Sequence, residues 1–394
     1  MDKGGEITMA AAGGISIPLD AVADILCCLP MKSVLRFKAV SKAWCSLIDS
    51  SYFARLQLSA SNHDPMLVIL TNEYIERTNY IVVCADFYSL DDDVDDAAAA
   101  SSSLRQVRPR SRPFDPRRGY TYALGSCCNG ILAFGIYGGN LDFWNPTTDQ
   151  CYSTLLASDQ TPAALDPLIR TPSVFYHDTC SNQYKLVQRV VQPDRRICEF
   201  QSYNLEANGF TTFHTLPGDH AVHPPHYSRG TPSCFVNGAL HWLAAVSSDG
   251  FFAEIVALQL ETLECYKLPL VRYRRYRYCK PTLVVFDGLL CATFSKDGFT
   301  RYKIDAWVMK EYGGKWTKLF NLTTSVDCVI YHKYVYPIAY SRNRDKVLLY
   351  FFFPDDFLGW YHLKREKLIP VKIPGAPRSF QAILCQPSLV NYQS

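Results

Sequence analysis

The chain has no Cys-x-x-Cys pair, no apolar run long enough to cross a bilayer and little net charge. Each absence excludes something. Fifteen cysteines is an odd count, and the closest-set ones are merely adjacent, Cys27-Cys28 and Cys127-Cys128. Such spacing builds no disulfide framework, so the thiols read as reduced small hydrophobes in the cytosol or nucleus. The longest solid apolar run, Val347 to Phe353, falls far short of the ~20 residues of a membrane helix. No membrane partner is expected. Residues 1–14, MDKGGEITMAAAGG, lack the apolar core of a signal peptide and read as a disordered tail. The sequence also lacks G-x-S-x-G, H-E-x-x-H, G-x-x-x-x-G-K-[ST] and G-x-G-x-x-G, so no familiar catalytic motif is present. The net charge of +3 over 394 residues is too small for a dedicated nucleic-acid face.

What is present suits a large folded body, with 48% hydrophobic and 20% charged residues. Residues 15–60 read as a short helical unit. Pro18 can open a helix, because its missing N–H has no intrahelical role there. Val22, Ile25, Leu26 and Leu29 follow at i, i+3, i+4 and i+7 and form one apolar stripe. Pro30 stops that helix. Ser33 is a candidate N-cap for a second helix carrying Val34, Leu35, Phe37 and Val40, and Ser41 for a third carrying Trp44, Leu47 and Ile48. Three helices in about 45 residues rarely close a core alone. Some of this apolar surface must be covered, either by the rest of the chain or by a partner.

From residue 65 to about 390 the texture is β. Short β-branched and aromatic runs alternate with Gly, Pro, Asn and Asp turns. NGILAF at Asn129, NGALHW at Asn237 and DGLLCA at Asp287 each place an Asn-Gly or Asp-Gly turn before a strand. SNQYKLV at Ser181 and SRNRDKVLLYFFF at Ser341 continue the series. The units close alike, with CYSTLL, FTTFHTLP, LECYKLPL, WTKLFNL and LIPVKIP. A period of roughly 50 residues with several strands per unit is a propeller signature, and it predicts roughly six blades. A β-sandwich with coincidental similarity is the alternative. Residues 90–119 combine an acidic block, an Ala/Ser run and a basic block, and read as a disordered insertion.

Two segments invite a site. His220, His223 and His226 stand three apart in HAVHPPH. Imidazoles can bind zinc, but the two prolines impose an extended path and no Cys or acid sits at a paired spacing, so no metal and no cofactor are expected. His241-Trp242 on the NGALHW strand reads as packing plus a hydrogen-bonded core histidine. The other segment, VRYRRYRYCK, carries Arg272, Tyr273, Arg274, Arg275, Tyr276 and Arg277. It holds five cations and no acid in a chain of net charge +3, so the basicity is local. It lies between two units. It reads either as a solvated loop or as a contact surface for an acidic or phosphorylated protein; nucleic acid is disfavoured.

The order of residues in the front unit closely resembles an F-box. Ile17-Pro18, Ile25-Leu26, Leu29-Pro30, Lys32-Ser33, Leu35-Arg36-Phe37, Val40, Lys42, Trp44 and Leu47-Ile48 carry the likeness. Ser41 replaces the family's usual Cys, and the acidic pair after the first proline is reduced to Asp20. The body resembles the F-box-associated, kelch-like propeller of plant-type F-box proteins over roughly residues 120 to 390. Leu141 to Thr148, Tyr184 to Val187, Phe235 to Trp242, and Asp305 to Tyr312 with Trp316-Thr317 carry it. Kelch-like propellers include copper oxidases, but a Tyr/His/Cys cluster is not visible here. The resemblance implies a non-catalytic substrate receptor of a Skp/cullin/F-box ubiquitin ligase. Pro18, Ile25, Leu26, Leu29, Pro30, Leu35, Val40 and Trp44 would then face a Skp-type adaptor and, through it, a cullin, with an unnamed protein as target. The alternative is an interaction protein that sequesters a partner outside any ligase.

Overall fold

The computed structural model describes residues 17–60, 65–75, 80–90, 102–112, 121–123, 127–136, 141–154, 174–192, 197–204, 209–217, 234–245, 252–271, 280–296, 301–325, 334–352, 355–373, 375 and 377–390. Four helices come first: α1 (Leu19–Cys27), α2 (Met31–Phe37), α3 (Lys42–Ile48) and α4 (Ser51–Ala60). The first three match the sequence reading. The fourth was hidden because its inward face, Phe53, Ala54 and Gln57, includes a polar residue and so shows no clean apolar stripe. Among the described residues no helix is long and apolar enough to cross a membrane.

The strands form six sheets. Blade one holds β1 (Met66–Ile75), β2 (Tyr80–Ser89) and β4 (Gln106–Ser111), and its remaining strand is β25 (Gln381–Cys385), from the far end of the chain. Blade two is β5 (Thr121–Ala123), β6 (Leu132–Ile136), β7 (Leu141–Asn145) and β8 (Gln150–Thr154). Blade three is β9 (Val174–Asp178), β10 (Gln183–Gln192), β11 (Ile197–Asn204) and β12 (Gly209–Pro217). Blade four is β13 (Cys234–Val236), β14 (Ala239–Ala245), β15 (Phe252–Gln259) and β16 (Cys265–Pro269). Blade five is β17 (Lys280–Phe286), β18 (Leu289–Lys296), β19 (Arg301–Met309) and β20 (Trp316–Ser325). Blade six is β21 (Tyr334–Tyr340), β22 (Lys346–Phe352), β23 (Phe357–His362) and β24 (Lys367–Lys372), with the short β3 (Ser102–Ser103) added in parallel to β24. Contacts of β13 with β9 and β17, and of β21 with β17 and β25, make the first strand of each blade the inner one.

This is a closed six-bladed propeller, and the sandwich alternative falls. The repeated turns are its inner hairpins. Asn129-Gly130, Asn237-Gly238 and Asp287-Gly288 all have positive φ at both positions. That is the type I′ geometry that fits the right-handed twist of a two-residue hairpin. Asn182 and Arg344 occupy the matching turns of blades three and six, also at positive φ.

The core is divided between the blades. Leu132, Phe134 and Trp144 of blade two pack against Met66, Val68 and Phe87 of blade one. Trp242 and Val256 of blade four pack against Phe200 and Val187 of blade three. The same holds for blades four and five, five and six, and six and one. Alternate side chains of a strand point to opposite faces, and here each face meets a neighbouring blade. Hence all five residues of β7 are buried.

The interval 90–119 requires a correction. Within its basic half, Gln106–Ser111 is β4, the outer strand of blade one, and not disordered chain. Arg108 lies 4.7 Å over the Phe87 ring, and Arg110 reaches the buried Asp86 at 2.7 Å. These partners turn arginines into strand residues. Residues 91–101 and 113–120 lie outside the described set.

Two buried polar side chains lie at the junctions between blades and interact across them. Arg189 is buried with its guanidinium 5.0 Å over Trp242, and burial pushes its pKa down to about 10. His241 is fully buried on β14, as the sequence reading held. Its Nδ1 faces the Cys234 carbonyl at 3.2 Å and its Nε2 faces the Tyr312 hydroxyl at 2.5 Å. The carbonyl can only accept, so Nδ1 carries the proton and Nε2 accepts from Tyr312. The Tyr312 hydroxyl also meets that of Tyr266 at 2.6 Å. The chain joins blades four and five.

Burial lowers the His241 pKa to about 4. The unfolded chain takes up this proton near pH 6.5 while the folded chain does not, so stability is lost as pH falls from 6.5 toward 4. The loss is about 3 kcal/mol over that window. Urea unfolding from pH 7 to 4.5 should show a shallower slope for His241→Gln than for the parent chain. Equal slopes would mean that His241 does not resist protonation.

Candidate docking surfaces

The helical unit is held by short caps. Pro30, with ψ of 139°, precedes α2, and its carbonyl accepts from Ser33 N at 2.8 Å. Ser33 is therefore inside the helix, two residues past the start, and is not its cap. Ser41 does cap α3, with its Oγ accepting from Trp44 N at 3.1 Å. The Trp44 ring packs 5.5 Å from Phe37 and ties α2 to α3. Lys38 pairs with Asp49, and that hydrogen bond holds the Asp49 carboxyl below the usual range.

The eight residues singled out for adaptor contact divide. Ile25 and Val40 are each 58% exposed, and the neighbouring Ile17 is 57% exposed. Pro18 and Pro30 are exposed, while Leu29, Leu35 and Trp44 are half-buried. Leu26 is withdrawn from the set because it is 1% exposed. It shares the inward face of α1 with Val22 and Ala23, and Ile25 stands about 100° round the helix from it. Three large aliphatics of this small unit are thus open to solvent.

The inward face of the helices does not close on itself. Val22, Ala23, Leu26, Val34, Ile48, Phe53 and Ala54 share one cluster with Ile131 and Phe143 of blade two and Phe175, Leu186 and Tyr203 of blade three. Helix α4, which the sequence reading missed, lies at this junction. It is started by Ser50, whose Oγ accepts from Phe53 N at 3.1 Å. That serine cap was the available sequence signal. Arg55 and Leu58 of α4 face Asn129, Asn182 and Tyr184 across a cavity of about 200 Å³.

Asn129 and Asn182 fix which edge of the ring the helices occupy. In an antiparallel blade, the turns from first to second strand and from third to fourth lie at one edge. The second-to-third and blade-to-blade connections lie at the other. The helices sit at the edge of the short hairpin turns. The opposite edge carries the ends of β16 and β17, which flank the segment containing Arg272, Tyr273, Arg274, Arg275, Tyr276 and Arg277. It also carries the ends of β12 and β13, which flank His220, His223 and His226. Both segments lie outside the described residues. Among the described residues no group of three or more His, Cys, Asp or Glu converges as a metal would need.

The architecture is that of a two-part protein, a helical unit with exposed aliphatics seated on one edge of a closed propeller. Residues 15–56 match the F-box domain and residues 100–391 match the F-box associated beta propeller domain. The chain belongs to the F-box proteins that carry this propeller. Among curated relatives, F-box protein CPR1 of Arabidopsis thaliana is 26% identical, with 95% of this chain and 89% of that protein covered. F-box/kelch-repeat protein At3g23880 of the same plant is 25% identical over 80% of this chain and 81% of its own.

The two faces of α1 predict opposite responses. Leu26→Ala should cost about 2–5 kcal/mol in urea unfolding, and Ile25→Ala no more than about 0.5 kcal/mol. Equal costs would place α1 in a different rotation.

Proposed function

We propose that this chain is a substrate receptor of a Skp/cullin/F-box ubiquitin ligase. The observation that carries the reading is three aliphatics more than half exposed: Ile25 on α1, whose other face is buried, Ile17 just before α1 and Val40 in the turn after α2. A Skp-type adaptor would cover these three, with Pro18 and Pro30 exposed beside them and Leu29, Leu35 and Trp44 supporting from below. The adaptor brings a cullin. The target would bind at the opposite edge of the propeller, where β16 ends and β17 begins, the two strands that flank Arg272 to Arg277 in the sequence.

The mechanism is proximity. Holding a target beside a ubiquitin-carrying enzyme replaces a bimolecular encounter by a local one at high effective concentration. The receptor itself makes and breaks no bond. Membership of the F-box family and the absence of familiar catalytic motifs in the sequence support that division of labour. Such a protein would work in the cytoplasm or nucleus, where its thiols stay reduced.

Co-purification with a Skp-type adaptor tests the reading. Wild-type chain should give a stoichiometric complex, and an Ile25→Asp, Val40→Asp double variant should lose it by about 100-fold or more in affinity, because two charges are buried unpaired. Circular dichroism should show the variant folded, since both positions are open to solvent. A folded wild-type chain that captures no adaptor would overturn the proposal and leave partner sequestration as the role.

A further inference from the structure

The chain continues beyond β25, and the next five residues are bound as tightly as any strand. Asn145, the last residue of β7, is buried. Its Nδ2 donates to the Ser388 carbonyl at 3.0 Å and to the Val390 carbonyl at 2.8 Å. Its Oδ1 accepts from Thr147 N at 2.8 Å. Thr147 Oγ1 in turn accepts from Ser388 N at 3.2 Å. Ser388 is fully buried, and its Oγ accepts from Val390 N at 2.9 Å.

The opposite wall is Gly130. It stands at φ +81°, and a Cβ there would lie 2.4 Å from Ser388 Cβ and 2.9 Å from the Gln386 carbonyl oxygen. Residues 386–390 are thus threaded between the inner and outer hairpin turns of blade two. Leu389 and Val390 then enter the same cluster as Val22, Leu26, Ile48 and Phe53 of the helices. Val390 also lines the cavity beside Ala54 and Leu58 of α4.

We propose that Asn145 is a positioning residue, which holds residues 386–390 as a strap that fixes the helical unit in one orientation on the propeller. The chemistry is specific to the amide. A carboxylate at this position cannot donate to either carbonyl, and an alanine offers neither donor nor acceptor. The seat comes from side chains at the hairpin edge of blades two and three, and the strap is the piece of backbone that touches both parties. The proposal rests on the receptor reading for its consequence, since a transfer reaction between two bound proteins depends on the angle and distance the receptor imposes.

The test uses the full chain, alone and bound to a Skp-type adaptor, with Asn145→Asp. Thr147→Val is the milder companion, because it removes only the acceptor for Ser388 N. Hydrogen exchange on the chain alone should accelerate about tenfold for amides of α1 to α4 in Asn145→Asp, less in Thr147→Val, and not at all in β13 to β24. Adaptor affinity should stay within about twofold. In a reconstituted ligase, self-modification of propeller lysines should spread from a restricted set in the wild type to a wider set in the variants. Unchanged exchange in the helices would overturn the proposal. So would acceleration shared equally by β13 to β24 in the milder variant, which would make the contact one of general stability. If the wild type binds no adaptor, the receptor reading fails by itself, and the exchange experiment still decides the strap.

Discussion

The pairing of β25 with β1 is the constraint on which the molecule depends. Met66 to Leu70 face Cys385 to Gln381 in antiparallel register, so the last strand of the chain completes the first blade. Without it the buried residues Leu67, Val68 and Ile69 would border an open edge, and an unpaired strand of this composition invites another chain. The closure also places both ends of the ring together. The chain enters β1 from α4 and leaves β25 toward the hairpin turns of blade two. The helices and residues 386–390 are therefore neighbours because of how the ring is closed, and the seat of the helices is built where the ring is sealed.

This explains why some of the fold was legible in the sequence and some was not. The inner hairpins were legible because a type I′ turn needs positive φ twice, and Asn-Gly and Asp-Gly are the pairs that accept it. The closing strands of blades two to six were legible by their repeated β-branched and aromatic endings. Closure was not. Gln381 to Cys385 is a short, ordinary strand whose partner lies more than 300 positions away, and no local signal marks a pairing at that range. The strand β4 was missed for a different reason. Composition treats arginine as a solvated residue, but Arg108 is drawn over an aromatic ring and Arg110 onto a buried carboxylate. Those partners come from β2, so only the tertiary structure could change the reading.

The docking face shows the same limit at finer grain. The 3.6-residue period places Val22, Ile25, Leu26 and Leu29 on one stripe, and the stripe is real. It is wider than one contact can use. Leu26 turns to the propeller side and Ile25 to the open side, a division that depends on what packs against α1. The sequence shows that apolar surface exceeds what three helices can bury. It does not show how the excess divides, with Leu26 buried toward the propeller and Ile25 left exposed. Gln57 on α4 hides the inward share, because a buried polar residue interrupts the pattern that would reveal it.

The two edges of the ring follow from strand geometry, and they are unequal. Among the described residues the hairpin edge holds several tight turns with fixed backbone angles, such as Asn129-Gly130 and the turn that follows Asn145, beside the longer β2-to-β4 connection of blade one. Tight turns vary little and offer a stiff seat, which suits a helical unit that must be held in one orientation. The other edge is made of the connections between blades and between second and third strands, which can change in length and composition without disturbing the β-ladders. The helices sit at the hairpin edge, and the stretch of the sequence richest in basic residues, Arg272 to Lys280, adjoins strand ends at the other edge.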